Sequence, residues 1–341
     1  MRLLHHSDPI PNFGDDINEQ IWDALAPGML DDCNGVGFLG IGTVVGKRFD
    51  PVDELHIFSS GAGYDPIDLP SENVNVWCVR GPITAGLLNV DPSRVVTDGA
   101  LLAPLVWPAA KKKQQVVVMP HWQSLHGREA YWERACSAAG FKLVSPMQRV
   151  EKVLTELSSA TLVLTESLHG AILADAYGVP WKAWACSSNF SLIKWKDWTA
   201  SMDLPLSVSG VAAPSTRIVK DYGRSLFEPG SIDVPVSDDV VEREIYTRCS
   251  VRAQNQNVIS SLKSFVKRTL LSEFIGSNML GYRPEQTAKQ LLEIARTADR
   301  QLSAEDHRAR LTQKLLHLLN EVANSGSNNN LHLGALRESN R

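Results

Sequence analysis

The sequence predicts an α/β fold in which two parallel-sheet domains precede a helical segment. Short apolar runs of strand length alternate with amphipathic helical stretches in two successive series, and the polar break Lys111–Gln115 separates them. After Val236 the apolar spacing is helical and the strand patterns end. The 341 residues suffice for two domains with an extension. We therefore expect domains at 1–110 and 114–220, a helical extension at 236–322 and a disordered tail at 323–341.

The composition is that of a water-soluble globular protein, with 43% hydrophobic and 21% charged residues. A net charge of −4 gives no basic field that would favour nucleic acid. The sequence contains no apolar run of about 18 residues, so we expect no membrane-spanning helix. His5, His6 and Asp8 interrupt any signal-peptide core. The five cysteines show no CxxC spacing, which predicts neither a zinc site nor a disulfide framework and favours the cytoplasm.

The first strand of the chain runs into a polar loop, Asn12–Asn18, which leads into a helix. Acidic residues at a helix start usually serve as caps, and capping would account for Asp15 or Asp16. Capping does not require Asn12 beside them. We therefore treat Asn12, Asp15 and Asp16 as candidate site residues.

Other polar residues of the first series also follow predicted strands. The glycine-rich stretch Gly35–Val45 lacks the spacing of a P-loop or a dinucleotide fingerprint, which favours close backbone packing. Arg80 follows the strand Asn75–Val79 and precedes a helix, where a guanidinium can clamp a phosphate or a carboxylate. A surface ion pair is the alternative for Arg80. Asp98 follows a further apolar run.

The second series contains the most informative stretch, Leu162–Gly178, which reads as a buried strand, a polar turn and a helix of small residues. Open α/β sheets bind ligands at the carboxyl ends of their strands, and the first turn of a helix favours an anion. His169 beside such an anion could donate a proton. The alternative is an ordinary βα unit in which Ser167 caps the helix and His169 is structural. His121 follows an earlier strand of this series.

Seven segments share a place at a predicted strand end. In chain order they are NFGDDIN (Asn12–Asn18), GIGTVV (Gly40–Val45), GAGY (Gly61–Tyr64), VRGPIT (Val79–Thr84), DGALLAP (Asp98–Pro104), MPH (Met119–His121) and TESLHGAILADAYGVPW (Thr165–Trp181). Their order resembles the polysaccharide pyruvyl transferases, and more narrowly the bacterial exopolysaccharide ketal pyruvyltransferases. The resemblance spans roughly Leu3 to Leu204, and the residues after Val236 lie outside it.

The resemblance implies two Rossmann-like domains that face each other across a cleft, similar to the B-type glycosyltransferases. It implies phosphoenolpyruvate as donor and, as acceptor, a hexose in a lipid-linked oligosaccharide or polysaccharide, with no further cofactor and no metal. The family's arginine and histidine fall on Arg80 and His169. Its lysine falls on Lys194, although Lys196 is a rival. Many relatives carry Arg where this chain has Ser167, so this chain would use Ser167 with a cation from elsewhere or would bind the donor differently.

The implied chemistry assigns a role to each candidate. Phosphoenolpyruvate carries a phosphate and a carboxylate, so its binding requires cations and helix N-termini. Ketal formation protonates the methylene carbon, for which His169 would be the acid, and Asp15, Asp16 or Glu166 would accept the hydroxyl protons. The expected substrate-binding residues are Arg80, Lys194, Ser167, Asn12, Asp98, His121 and Gly170.

Two other function classes stay open at this point: a nucleotide-sugar glycosyltransferase of the same fold and a non-catalytic carbohydrate-binding relative. The segment Val258–Leu271 has an apolar face flanked by basic residues. Such a face is compatible with peripheral contact at the cytoplasmic side of the inner membrane. A helical cap, or a seam in a homo-oligomer, is the competing interpretation.

Overall fold

The first of two separate β-sheets is built from the N-terminal strands. A computed structural model describes residues 1–31, 35–249, 282–297 and 299–338, with side chains up to residue 325. The strands of the first sheet are β1 (Arg2–Leu4), β2 (Val36–Leu39), β3 (Glu54–Ser60) and β4 (Val74–Val79). They pair in that order and every pair is parallel. All four carboxyl ends therefore lie at one edge of this sheet.

The second sheet has six strands. They are β5 (Val116–Met119), β6 (Lys142–Leu143), β7 (Leu162–Thr165), β8 (Trp181–Ala185), β9 (Ser207–Gly210) and β10 (Val234–Pro235). The spatial order is β6-β5-β7-β8-β9-β10, and only the β9–β10 pair is antiparallel. Every residue of β7 is buried, as expected for a strand covered on both faces. We call residues 1–110 the first unit and residues 114–235 the second unit.

Helices connect the strands. They are α1 (Phe13–Asp16), α2 (Asn18–Leu25), α3 (Pro82–Leu88), α4 (Ala103–Val106), α5 (Trp122–Leu125), α6 (Glu129–Ala139), α7 (Val150–Ser159), α8 (Leu168–Ala176), α9 (Leu192–Ser201), α10 (Thr216–Tyr222), α11 (Asp238–Cys249), α12 (Pro284–Arg296) and α13 (Glu305–Glu338). Two 3₁₀ turns, Pro92–Arg94 and Gly99–Leu102, complete the first unit. The predicted α/β class with parallel sheets is confirmed.

Some strands of the structure were not predicted from the sequence. Strand β2 lies inside the glycine-rich stretch Gly35–Val45, where Gly37 packs so closely on Leu4 that a side chain there would collide with it. Glycine weakens a strand pattern, which is why β2 was not predicted. Strands β9 and β10 were also missed, and β10 lies beyond the expected boundary at residue 220. The run at Val95 forms a single parallel bridge to Val79 and no strand.

Helix α8 has no continuous polar face because it lies between the two units. Seven of its nine residues are buried. It packs on β7 and β8 of its own sheet and on the turn Gly99–Leu102 of the first unit. A helix at the protein surface would show a polar stripe along one side, and α8 has none. The turn before α8 is therefore held at the boundary between the two sheets.

The C-terminal helices contact both units. Helix α12 packs on α6, and α13 packs on the turn Gly99–Leu102 and on β4. Lys314 of α13 donates to the Ser93 carbonyl oxygen at 3.2 Å. The segment Val258–Leu271 lies outside the described residues. None of the helices in the described part of the chain is long and apolar enough to cross a membrane.

Helix α13 continues to Glu338, whereas the sequence predicts disorder for 323–341. A helix that is already formed extends at much lower cost than a new helix nucleates, so a Ser- and Asn-rich segment can continue one that an amphipathic segment has begun. A prediction of disorder that rests on the composition of residues 323–341 alone does not take this cooperativity into account.

A buried ion pair joins the first unit to helix α9 of the second. Arg80 and Asp197 are both 0% exposed, and Arg80 Nε lies 3.1 Å from Asp197 Oδ2. Asp197 also accepts from the Thr84 backbone N–H at 3.0 Å and from the Thr84 hydroxyl at 2.6 Å. Gly81 lies so close to Asp197 that a Cβ there would overlap the Asp197 carbonyl oxygen. The contact therefore requires glycine at position 81.

We predict that Gly81→Ala lowers the free energy of unfolding by about 2–4 kcal/mol, because the new Cβ pushes Asp197 away from Arg80 and uncouples two buried charges. Gly86→Ala in α3 is the matched control. No atom outside its own helix lies near the position of a Cβ at Gly86, so alanine should stabilise the helix by about 0.5–1 kcal/mol. Urea denaturation measures the free energy of unfolding of both variants. Equal values for Gly81→Ala and Gly86→Ala would contradict the requirement for glycine at position 81.

Candidate active site

A cleft of about 320 Å³ lies where the strand-end loops of both units meet. The first unit contributes His6, Asn12, Asp15, Thr43, Val44, Val45, Lys47, Tyr64 and Asp65, and the second contributes His121, Trp122, Gln123, Ser167, Leu168, His169 and Lys194. These residues follow β1, β2 and β3 on one side and β5, β7 and β8 on the other. Ligands of parallel sheets bind at such carboxyl ends. The structure thus brings six of the eleven predicted site residues into one cleft, namely Asn12, Asp15, His121, Ser167, His169 and Lys194.

His169 lies at the boundary between the units. Its ring packs edge-on against Phe13, with the ring centroids 6.4 Å apart, and a Cβ on Gly14 would overlap its Nδ1. Its Nε2 is buried and has no hydrogen-bond partner among the described residues. Burial, followed by the charges of Lys194 and Arg80, lowers the pKa of His169 to about 3. The imidazole is therefore neutral at pH 7 in the unliganded protein.

Asp15 is the carboxylate that the first unit brings to the cleft. Its Oδ2 accepts from the Asn12 side-chain amide at 2.6 Å. Burial raises the pKa of Asp15 to about 6, and the Asn12 hydrogen bond and the charges of Lys194 and Lys47 oppose this rise. A carboxylate with a pKa near 6 is mostly ionised at pH 7 and more basic than an exposed one, which suits it to accept a proton.

Two ammonium groups line the cleft from opposite sides. Lys194 of α9 donates to the Tyr64 hydroxyl at 2.6 Å, and its Nζ lies 5.2 Å from the centroid of the Tyr64 ring. Lys47, from the loop after β2, contacts Nδ1 of His6. Neither ammonium has a carboxylate within ion-pair distance in the described part of the chain. Lys196, the rival of Lys194, forms an ion pair with Asp238 at 3.0 Å and does not line the cleft.

Ser167 stands at the N-cap of α8, with its side chain available to the cleft. Its own N–H donates to the Thr165 hydroxyl at 3.0 Å, while its side chain makes no capping bond. The first backbone N–H groups of a helix have no partner within it. Gly170, a predicted ligand, lies outside the cleft lining. A side chain at position 170 would collide with Thr165 and Met119, so this glycine allows α8 to pack closely on β7 and β5.

Two of the acids predicted as bases are engaged elsewhere. Glu166 is 1% exposed and accepts from the backbone N–H groups of His121 at 3.1 Å and Cys186 at 3.2 Å. It thereby ties together the ends of β5, β7 and β8. Asp16 accepts from the Asn12 backbone N–H at 3.1 Å, which closes the first turn of α1. Neither side chain lines the cleft.

Arg80 and Asp98 also lie below the cleft surface. Arg80 was predicted as a clamp for an anion, with a surface ion pair as the alternative, but its side chain is fully buried in an ion pair with Asp197. Besides Asp197, its guanidinium donates to the Thr43 hydroxyl at 2.7 Å and to the Ala62 carbonyl at 3.2 Å. Asp98 is fully buried and caps the turn Gly99–Leu102 through the Ala100 N–H. Among the described residues, Arg80 contacts the cleft lining through the Thr43 hydroxyl.

Four residues of the cleft lining were not predicted as site residues: Lys47, Thr43, Tyr64 and His6. Lys47 follows β2, a strand that its glycines hid, and it lies beyond the quoted segment GIGTVV. Thr43 lies within that segment but received no role. Tyr64 was part of the quoted GAGY segment but received no role. Among the described residues no group of three or more His, Cys, Asp or Glu side chains could hold a metal ion.

Comparison with known proteins finds one matching family profile and one similar protein. Residues 72–182 match the profile of the family described as "Polysaccharide pyruvyl transferase". The chain is similar to "Succinoglycan biosynthesis protein ExoV" of Rhizobium meliloti (strain 1021). The two are 27% identical over 299 residues, which cover 85% of this chain and 92% of the relative. No solved structure gave a significant match.

We predict that Asp98→Asn becomes more stabilising as the pH rises. Burial raises the pKa of Asp98 to about 6, whereas an unfolded Asp titrates near 3.8. Below both values the group contributes nothing. As the pH rises from 4 to 6 the unfolded chain loses its proton first, so the native state loses stability, by about 1–3 kcal/mol in full. Asparagine does not ionise, so the Asp98→Asn variant does not lose this stability as the pH rises. Urea denaturation at pH 4.5 and 7.5 measures it.

Asp91→Asn is the control for this pH dependence. Asp91 caps the turn Pro92–Arg94 through the Ser93 N–H at 2.8 Å, but it is exposed. Hydrogen bonds from Ser93 lower the pKa of Asp91, so its contribution is gained, not lost, as the pH rises. The Asp91 variant should therefore show the opposite trend. If the effect of Asp98→Asn on the free energy of unfolding does not change with pH, the prediction is refuted.

Proposed function

Because the chain is an enzyme of the polysaccharide pyruvyl transferase family, we propose that it transfers the pyruvyl group of phosphoenolpyruvate, as a ketal, onto two hydroxyls of a hexose. The observation that carries this proposal is the shared cleft. The cleft is lined by a histidine nitrogen and an ammonium group that have no hydrogen-bond partner and no ion pair, respectively, among the described residues, and by a carboxylate with a pKa near 6. An anionic donor that must be protonated at carbon requires such groups.

The proposed acceptor is a sugar of an exopolysaccharide under synthesis. The relative's name, a succinoglycan biosynthesis protein, supports this assignment. If the growing chain is carried on a lipid, the enzyme works at the cytoplasmic face of the membrane as a peripheral protein. The basic and apolar composition of 258–271 is compatible with such contact.

The architecture supports a B-type glycosyltransferase-like arrangement as part of the proposal. Both sheets direct the carboxyl ends of parallel strands toward one cleft. Helix α13 of the C-terminal region packs back on the first unit. In this arrangement each unit supplies one wall of the site, and donor and acceptor meet between them.

In this proposal, groups of the second unit bind the donor. The Lys194 ammonium, the Ser167 hydroxyl and the N–H groups at the start of α8 together offer charge and hydrogen bonds to a phosphate or a carboxylate. Arg80 lies beneath the cleft surface and acts as a positioning residue, because its guanidinium holds the Thr43 hydroxyl and Asp197 of α9. It supports both walls without touching the donor.

In the proposed reaction His169 donates a proton to the methylene carbon, and Asp15 accepts the proton of the first attacking hydroxyl. The hydroxyl oxygen bonds to the central carbon, the carbon–phosphate oxygen bond breaks and phosphate leaves with its electron pair. The neighbouring hydroxyl then bonds to the same carbon, and its proton passes to the departing phosphate. The two hydroxyl protons thus balance the methyl hydrogen gained and the phosphate proton.

His169 must gain a proton before it can act as the acid. Burial and the charges of Lys194 and Arg80 hold its pKa near 3 in the empty cleft. A bound donor brings several negative charges next to the ring, and opposite charge favours the imidazolium. The donor therefore raises the pKa of its own acid, and its binding should take up a proton.

The function is tested by incubating the enzyme with phosphoenolpyruvate and fractionated acceptor oligosaccharide while phosphate release is measured. Release that depends on the acceptor, with a ketal in the product by mass spectrometry and NMR, is the expected result. Donor that is neither bound nor consumed with any fraction would refute the proposal.

His169→Gln should lower kcat by roughly 10²–10⁴-fold, the scale of a positioned general acid. It should keep most of its donor affinity, because Lys194 remains. Calorimetric titration with phosphoenolpyruvate in buffers of different ionisation enthalpy should show proton uptake by the wild type and less by the variant. Full activity of the variant would make His169 structural, and lost affinity with unchanged kcat would make it an anion ligand.

Lys194→Met should raise the KM for phosphoenolpyruvate by roughly 10- to 100-fold, the value of one charge-assisted contact. Lys196→Met is the matched control, two residues away in the same helix. Its ammonium is paired with Asp238 outside the cleft, so its KM should not change. Equal KM values for the two variants would remove Lys194 from the donor site.

A further inference from the structure

Lys47 lies on the wall of the cleft formed by the first unit, opposite the unit that carries Lys194. The loop after β2 carries Lys47, and α9 carries Lys194. The charges of both ammonium groups lower the pKa of Asp15, so both lie within electrostatic reach of one carboxylate. The two cations therefore act on the same part of the cleft from different sheets.

The charge of Lys47 is not cancelled by a contact. Its direct partner is the His6 imidazole, and no carboxylate in the described residues lies within ion-pair distance of it. Asp15, Asp65 and Asp8 act on it only at longer range, and partial burial lowers the pKa of Lys47. By contrast, the buried Lys182 has Asp233 at 2.7 Å. A partly desolvated cation without a paired anion attracts one from solution.

His6 gives Lys47 an uncharged acceptor. Burial and the charge of Lys47 lower the pKa of His6, so the ring is neutral at pH 7 and its Nδ1 accepts from the ammonium. A carboxylate in this place would hold the lysine equally well but would cancel its charge. The pair thus fixes the position of Lys47 and leaves its charge available to the cleft.

We infer that Lys47 is a second cationic ligand of the anionic donor and that His6 is its positioning residue. The ligand class is a small molecule with two separate anionic groups, as in phosphoenolpyruvate. One group would bind Lys194 on the second unit and the other would bind Lys47 on the first. This inference rests on the proposed function and adds that the donor bridges both units.

Lys47→Met tests the inference, because it keeps most of the side-chain stem and removes the charge. Calorimetric titration with phosphoenolpyruvate should show a Kd raised roughly 10- to 100-fold, and kcat at saturating donor should change much less. Arg48→Met is the matched control: it removes one positive charge from the same loop at an exposed residue outside the cleft lining. Its Kd should equal that of the wild type.

Two substitutions of His6 separate its role from packing alone. His6→Gln keeps a neutral acceptor and should bind the donor like the wild type. His6→Glu places a carboxylate against Lys47 and should weaken binding as Lys47→Met does. In the double variant His6→Glu, Lys47→Met the losses should not add, since both remove the same cation.

The outcomes distinguish this inference from the proposed function. Absence of phosphoenolpyruvate binding by the wild type refutes the proposed function. Binding by the wild type with an unchanged Kd in Lys47→Met refutes the inference alone. An equal rise in Kd for Lys47→Met and Arg48→Met also refutes it, because the effect would then be one of net charge.

Discussion

The ion pair between Arg80 and Asp197 is the contact on which the arrangement of the cleft depends. Both groups are fully buried, and removing either would leave a charge in a site that water does not reach. The guanidinium also holds Thr43 and the Ala62 carbonyl, so one side chain connects the loops after β2, β3 and β4 with helix α9. Gly61 permits this approach, since a Cβ there would overlap the guanidinium.

The sequence predicted the secondary structure around the site better than the roles of its residues. The turn before α8 lies at the carboxyl end of a buried strand, as the sequence predicted. The role of Arg80 differs from the predicted one. An arginine at a strand end can bind a ligand or join two units, and its partner Asp197 is 117 residues away. Nothing local to Arg80 distinguishes the two roles.

Lys47 was missed for a different reason. The position of a cation in a cleft depends on which loops share an edge of the sheet, and this one depends on β2. The glycines that let β2 pack closely also removed its strand pattern. The sequence of α8 contained information that was not used. A helix without a continuous polar face is covered on all sides, which indicates an interface between units.

The packing of His169 on Gly14 has a consequence for the fate of the donor. The histidine belongs to the second unit, and the glycine beside its ring belongs, like Asp15, to the first. If the two units separate, the acid and the base separate with them. In the proposed reaction an open molecule could bind the donor but could not complete the transfer. Water that enters while the molecule is open would therefore meet an unprotonated enol phosphate, and the energy-rich donor would be protected from wasteful hydrolysis.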